Sequence, residues 1–562
     1  MIYANTDILI LGGGIGGCST AHSLRKNGFK GKITIIEQND RIGGEARSGE
    51  WNGLPTEHCW RIYGPGYSTL FDMMKQIPLI ENHNKSVYDN LVNLEPYLVA
   101  PQNNPAFYFQ KSSFIELLKY AKKATKRLTY SQIFDLSDKL LYLSTSSTER
   151  LKSELSQTSW KNYINPPTPE AMDYFVRAIG PFYGVDLYKA SASSVWEVTE
   201  DTAGPDYLDN LALRVMNGPT NEAWFRHWYD FLHNHLNVEI LTQNQVIKVE
   251  SNHSIIQRIY TQDLKTGQYK VWSAQWYVLA LPLQVVSKFF NDQKLHQLAV
   301  LGKQYMIGLQ IYFSEKLTFE FPNVGIYLPQ SPWQLIIEPQ GSIWTDQNNK
   351  PYKDIWSIGI CDPKAHGWLY KKPFLKCTRS QVEEEVWYQI THTPSFISQI
   401  KTESNRSVTE LQPMAIHLWD SYQWSDQMQQ LVTTEEKTSP NAGTLYLRPQ
   451  TQYLNNALFA TSFTQNSREM ILMDAAAEAG VNASRVISAN YQLNNIPPIV
   501  PRERLYGGLL FGLLRLIDKI LFSCHLRHLS IIFFGLTWPL VIIYFLIIIY
   551  LFYYLISKIF KI

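Results

Sequence analysis

Cysteine is scarce in this sequence. Five in 562 residues (Cys18, Cys59, Cys361, Cys377 and Cys524), with no paired spacing, exclude a disulfide framework, a cysteine zinc site and a Cys-x-x-Cys relay, and suit a reducing compartment. Net charge is small as well: 51 Lys+Arg against 49 Asp+Glu give +2, without the broad basic footprint of a nucleic-acid binder, so no nucleic-acid partner is expected. The absence of His-Glu-x-x-His removes support for metal hydrolysis, and no metal is expected. Residues 1–11 lack a basic segment followed by a long apolar run, so no secretory signal is read there. Repeats and low-complexity stretches are missing too. With 45% hydrophobic and 18% charged residues, a disordered or fibrous chain is excluded. What is left is a globular chain long enough for several domain-sized units.

One long apolar run breaks this pattern. Leu529 to Ile556 contains no acid or base other than tyrosine, and 28 residues at 1.5 Å of rise exceed the roughly 20 needed to cross a bilayer core of about 30 Å. A single C-terminal transmembrane helix over 529–556 is therefore predicted, with Pro539 tolerated inside it. The run sits in a basic tail. Seven Lys/Arg against two acids from Pro501 to Ile562 give +5, leaving −3 for residues 1–500. Upstream, Leu505 to Ser523 mixes apolar residues with Arg515, Asp518 and Lys519, the pattern of an interfacial amphipathic helix. The expectation is a tail-anchored protein whose catalytic part lies on the cytosolic side of a membrane.

At the other end, the apolar run Asp7 to Leu11 leads directly into Gly12-Gly13-Gly14-Ile15-Gly16-Gly17. This is G-x-G-x-x-G between a strand and a helix. Gly12 suits the tight turn, Gly14 a close approach to pyrophosphate and Gly17 close helix packing. A helix over Cys18 to Asn27 then aims its N-terminal N–H groups at the phosphates. A second strand, Ile33 to Ile36, ends in Glu37 and Gln38, and the Glu37 carboxylate suits the ribose hydroxyls of an adenosine. Further on, Gly43-Gly44 permits another close backbone approach, and Arg47 offers a planar, permanently charged phosphate donor.

The stretch from Glu37 through Ser48 resembles the extended signature of the flavin amine oxidase and phytoene desaturase superfamily, in which the Gly-Gly turn and following Arg close over the diphosphate of FAD. Residues 56–67 resemble the segment passing the flavin ring in phytoene desaturase-like oxidoreductases, which makes Glu57, His58 and Arg61 the catalytic candidates. Gly218 to Trp224 is similar to a further turn of that superfamily, and Trp276 to Pro282 to its second FAD-domain strand. By the same resemblance the Val246 backbone contacts adenine, while Ser462 and Met470 belong to the last cofactor segment. There the helix over Met470 to Gly480 points its N-terminus at the flavin pyrimidine. Thr461-Ser462 stands where many relatives have Gly-Asp. Lys303 is similar in type to the flavin-facing lysine of amine oxidases.

These readings imply an α/β fold: a Rossmann-like FAD-binding domain interleaved with an α+β substrate-binding domain, plus one C-terminal transmembrane helix. The FAD domain is assigned to 1–67, 236–290 and 454–495, a mainly helical substrate or cap region to 68–235, and a substrate-domain sheet to 291–453. A linker and amphipathic segment spans 496–528. The resemblance implies an FAD-dependent oxidoreductase taking a hydride from a C–H bond, and a membrane location favours a lipophilic, isoprenoid- or carotenoid-like substrate. Because no second glycine fingerprint occurs, oxygen or a quinone is the expected electron acceptor. A flavin amine oxidase and a non-catalytic flavoprotein scaffold remain as alternatives.

Overall fold

The computed structural model of the protein describes residues 2–59, 61–94, 96–109, 128–172, 175–176, 184–202, 213–305, 307–345, 350–493 and 508–530. Short runs of β-branched and leucine residues make its central strands. Ile8, Leu9, Ile10 and Leu11 are fully buried, as are Ile33 and Ile35 in the neighbouring strand, which is the pattern of a parallel strand covered on both faces. Each such side chain withdrawn from water contributes about 1.5–3 kcal/mol.

The resulting parallel sheet runs Glu239–Leu241, Ile33–Ile36, Ile2–Leu11, Tyr269–Leu279 and Ala457–Phe459. Its strands come from three widely separated parts of the chain. Tyr269–Leu279 is long enough to do two jobs, pairing in parallel with Ile2–Leu11 and antiparallel with Ile256–Asp263, which continues to Asn244–Ser251. Helices Ile15–Lys26 and Met473–Asn490 pack on each other against this sheet.

A second, seven-stranded sheet is ordered Ala415–Leu418, Ile307–Phe313, Asp354–Ile360, Leu335–Pro339, Gly325–Leu328, Tyr97–Val99 and Phe107–Phe109. The last two strands come from the region 68–235, whose described residues are otherwise mainly helical. Short aromatic and β-branched stretches there extend the substrate sheet, Tyr97–Val99 pairing in parallel with Gly325–Leu328. Helices Tyr130–Thr145, Thr148–Leu155, Trp160–Ile164 and Ala192–Thr202 form a cap around Leu143, Trp160, Val195 and Trp196. Their starts are written in the sequence: Thr129 and Gln132 form a capping box, while Ser147 and Ser159 accept from backbone N–H groups three residues on.

Two placements differ from expectation or lie outside the described residues. Nearly all of the predicted span 529–556 lies outside them; among those described, no helix is long and apolar enough to cross a membrane. The tail segment does form a helix, Gly508–Ser523, packed on the cap helices Tyr130–Thr145 and Thr148–Leu155. Finally, the helix expected from Met470 starts at Met473. The preceding backbone is committed elsewhere: Glu197 accepts from the N–H groups of Glu469 and Met470, and Arg448 donates to the carbonyls of Arg468 and Glu469.

Candidate active site

The glycine loop is shaped by contact. Gly12 has φ +105°, and a Cβ there would lie 2.3 Å from the Ala280 carbonyl oxygen, so only glycine suits the position. Gly16 crosses the last parallel strand so closely that a Cβ would sit 1.9 Å from the Ala460 oxygen. Gly14 is different: a Cβ would meet only Gly44, at 3.7 Å or more, and both residues line a cavity of about 1240 Å³. That open space beside otherwise crowded glycines is where a pyrophosphate fits.

The Gly43–Gly44 turn is stitched to this loop, with Gly43 N–H donating to the Gly13 carbonyl at 2.9 Å. Glu37 finishes the second strand at the cavity wall. Its Oε2 accepts from Gly13 N–H at 2.8 Å, and its Oε1 accepts from Asn39 N–H and Nδ2 at 2.8 and 2.7 Å. Oε1 is filled by these two donors, while Oε2 keeps a further lone pair for a ribose hydroxyl. Gln38, Val246 and Ser462 also line the cavity. Gly13 and Gly17 shape the loop from behind: a Cβ at Gly17 would stand 2.0 Å from the Gly12 oxygen.

Other predicted site residues take different places. Met470 is fully buried in the cap's apolar cluster; Ile471, Leu472 and Met473, around the helix start, line the cavity instead. Glu57 and His58 are buried behind the wall. Glu57 accepts from Thr220 N–H at 2.8 Å and from Arg61, so its carboxylate is spent on structure. Burial pushes His58 down to about 3, which keeps it neutral near neutral pH. Arg61 reaches the cavity, but its Nη2 donates to the carbonyls of Arg47 and Glu45 at 3.0 and 3.4 Å. It is a positioning residue that holds the Gly43–Arg47 turn.

A network beyond the sequence reading surrounds Arg47. Its guanidinium pairs with Glu435 and lies 5.4 Å over the Trp419 ring, while Trp419 Nε1 donates to Glu435 at 2.8 Å and His58 Nε2 stands 3.5 Å away. Burial opposes the Glu435 charge, but its cationic and hydrogen-bonding neighbours outweigh it and hold the carboxyl below the usual range. Two lysines join this wall through the short strand pair Lys303–Gln304 and Lys437–Thr438. Lys303 pairs with Glu436, whose hydrogen bond overcomes burial and keeps the ammonium protonated. Lys437 is buried, its Nζ 3.4 Å from the Gly184 oxygen, and burial lowers its pKa. The only sequence signal for this group is the charged triplet Glu435-Glu436-Lys437, which has no spacing diagnostic of chemistry.

Beyond the cradle the wall is mixed: Val185, Val198, Leu213, Ile307 and Ile360 line it together with Gln304, Thr433 and Thr434. One continuous space thus joins the glycine cradle to a chamber with an apolar side. All five cysteines are free thiols.

Residues 10–77 match the NAD(P)-binding Rossmann-like domain family. No curated protein matches the sequence. Among solved structures, putrescine oxidase bound to putrescine is similar at 13% identity and TM-score 0.56, covering 87% of this chain and 100% of its own. Cyclohexylamine oxidase from Brevibacterium oxydans IH-35A gives 13% and 0.55, with 87% and 100% covered. A candidate protoporphyrinogen oxidase from Exiguobacterium sp. 255-15 gives 13% and 0.54, with 86% and 99% covered. At such identities the likeness is one of fold, and it extends over nearly the whole length of each of these oxidases.

Proposed function

We propose, for a chain that has the fold of the FAD-dependent amine oxidase and desaturase-like superfamily, that it is an FAD-dependent oxidoreductase removing a hydride from a C–H bond of a lipophilic small molecule. An isoprenoid- or carotenoid-like chain is the substrate class we favour. The observation that carries this reading is the single cavity in which the glycine cradle, Glu37 and an apolar chamber meet. Bound flavin would supply the hydride acceptor.

The chain's own residues do the rest. Glu37 would hold the ribose and the Gly43–Arg47 turn the diphosphate, and Arg61 braces that turn through backbone carbonyls. Helix Met473–Asn490 directs its positive end toward the cavity through Leu472 and Met473, favouring negative charge there. Val185, Val198 and Ile360 exclude water from the reacting carbon. Lys437 Nζ, destabilised as a cation by burial, can hold or release a proton at the cavity wall. Oxygen or a quinone would serve as the electron acceptor; the apolar run 529–556 supports a membrane location, and we place the catalytic part on the cytosolic side.

A flavin amine oxidase is the second reading, favoured by the likeness to putrescine and cyclohexylamine oxidases. Against it, Glu435 and Glu436 are already paired with Arg47 and Lys303 and do not offer a free carboxylate to an ammonium. A non-catalytic flavoprotein scaffold is the third. Detergent-purified protein, mixed anaerobically with polyenes and with amines, separates them: polyenes are expected to bleach the visible flavin absorbance. Bleaching by amines alone rejects the lipophilic substrate, and protein that is colourless or unreactive with both rejects the enzyme reading.

A further inference from the structure

Helix Gly508–Ser523 is assembled the wrong way round for a helix in water. Two of its three charged residues, Arg515 and Asp518, are buried, Asp518 completely, while Leu513, Leu516 and Ile520 are 53, 57 and 59% exposed; the third, Lys519, is exposed and pairs with Glu149. At about 100° per residue, the three apolar residues fall within one arc of roughly 60°, and the two buried charged ones lie almost opposite. A surface helix of a soluble protein normally buries the apolar stripe and exposes the charge.

The buried face is fastened to the cap by specific bonds. Asp518 Oδ1 meets Arg150 Nε at 2.8 Å, and its Oδ2 accepts from Ser147 N–H at 2.7 Å. Arg515 Nη2 lies 3.3 Å from Glu200 and its Nε donates to the Ser144 carbonyl at 2.9 Å. Arg150 Nη2 also donates to the Leu526 carbonyl beyond the helix, at 2.9 Å. Glu200 belongs to Ala192–Thr202, the helix that carries Val198 into the cavity wall. One helix therefore separates the tail helix from the substrate chamber.

What covers the exposed stripe is indicated by the chain that follows it. Six residues after the helix, at Leu529, the sequence enters 28 residues without an acid or base other than tyrosine, and Arg527 stands at that junction. We propose that Gly508–Ser523 lies in the surface of a lipid bilayer, with Leu513, Leu516 and Ile520 seated at the headgroup and acyl boundary. Arg515 and Asp518 make it a rigid part of the cap, which holds the wall of the apolar chamber about one helix spacing, 8–10 Å, from the interface. A lipophilic substrate dissolved in the bilayer would then reach the chamber without crossing water. This rests on the reading of 529–556 as a span.

Spin labels in the full chain, reconstituted into phosphatidylcholine nanodiscs in a Cys524→Ser background, test the proposal. Labels at Leu513→Cys, Leu516→Cys and Ile520→Cys are expected to be several-fold more accessible to oxygen than to a water-soluble nickel chelate, relative to a label at the distant, exposed Lys265→Cys. A label at Ile547→Cys reports the span itself. If Ile547 is not lipid-accessible, the span reading and this proposal fall together. If Ile547 is in lipid while the three stripe labels match Lys265, this proposal alone falls. Short distances between Leu516 labels of two chains would show that a second copy covers the stripe, and would overturn it equally. Dipolar spectroscopy between Leu516→Cys and Ser153→Cys should give one narrow distance, and a broad distribution would refute the rigid clamp.

Discussion

Replacing Gly14 with alanine should separate cofactor binding from folding. In the protein alone the added methyl would meet only Gly44, at 3.7 Å, an ordinary contact that costs nothing in packing. Gly14 is the N-cap of helix Ile15–Lys26, in an extended conformation open to any L-residue. Alanine is the poorer cap by about 0.5–1 kcal/mol, but it loses about 0.4–1 kcal/mol less chain entropy on folding, so the two effects nearly cancel. Flavin-free Gly14→Ala should therefore melt within about 0.5 kcal/mol of the parent. If the pyrophosphate occupies the space in front of Gly14, the methyl overpacks it, at about 1–3 kcal/mol, or roughly 5- to 150-fold weaker binding.

Gly16→Ala is the contrasting variant. Its methyl would stand 1.9 Å from the Ala460 oxygen, so helix and strand must part by more than 1 Å, roughly, and stability should fall by about 1–3 kcal/mol even without cofactor. Flavin titration followed by tryptophan fluorescence, together with denaturant unfolding of the flavin-free proteins, measures both quantities. Gly14→Ala that binds FAD as tightly as the parent would refute the cradle, and equal destabilisation by the two variants would refute the packing argument.

Two further predictions concern buried charge. Arg61→Met leaves Glu57 uncompensated at 3% exposure and should cost about 3–5 kcal/mol, whereas Arg61→Met with Glu57→Leu should recover most of that; equal losses in denaturant unfolding would show that the pair is not the cause. His22, fully buried on the first helix, is held down to about 3 by burial and by Lys26. Because the unfolded chain takes up its proton near 6.5, the stability linked to this group is complete above that pH and is lost as pH falls toward 3. From pH 7 to 5 the loss is about 2 kcal/mol. His22→Leu should flatten that part of the profile, and an unchanged pH dependence would sink the assignment.

How legible the site was depended on sequence distance. The turn from Gly12 to Gly17, the strand ending in Glu37 and the Gly43–Gly44 turn are local patterns, and all of them lie where the residues suggested. Arg47 was readable as a cation following the glycine turn, and it lines the cavity, but its partner Glu435 is 388 residues away, and no local spacing announces it. Glu57 and His58 are polar residues in the expected segment, yet their orientation away from the cavity follows from Thr220 and Glu435, both distant in sequence. Met470 failed for a related reason, since Glu197 and Arg448 capture the backbone that helix propensity alone would have wound. The tail helix was visible as amphipathic; which of its faces is buried was decided by Arg150 and Glu200, more than 300 residues upstream.

The interleaved parallel sheet sets a timetable for biosynthesis. Strand Ile2–Leu11 can pair with Ile33–Ile36 soon after both leave the ribosome, but its other edge waits for Tyr269–Leu279, nine registered residue pairs whose partner is synthesised some 260 residues later. At about 5–20 residues per second, that edge stands open for roughly 10–50 s. Ala457–Phe459 and the helix Met473–Asn490 arrive later still, so the first glycine loop lacks these packing partners until more than 450 residues after it have been synthesised. The nascent N-terminal third is thus the part of the molecule most dependent on chaperone protection of an unpaired apolar strand.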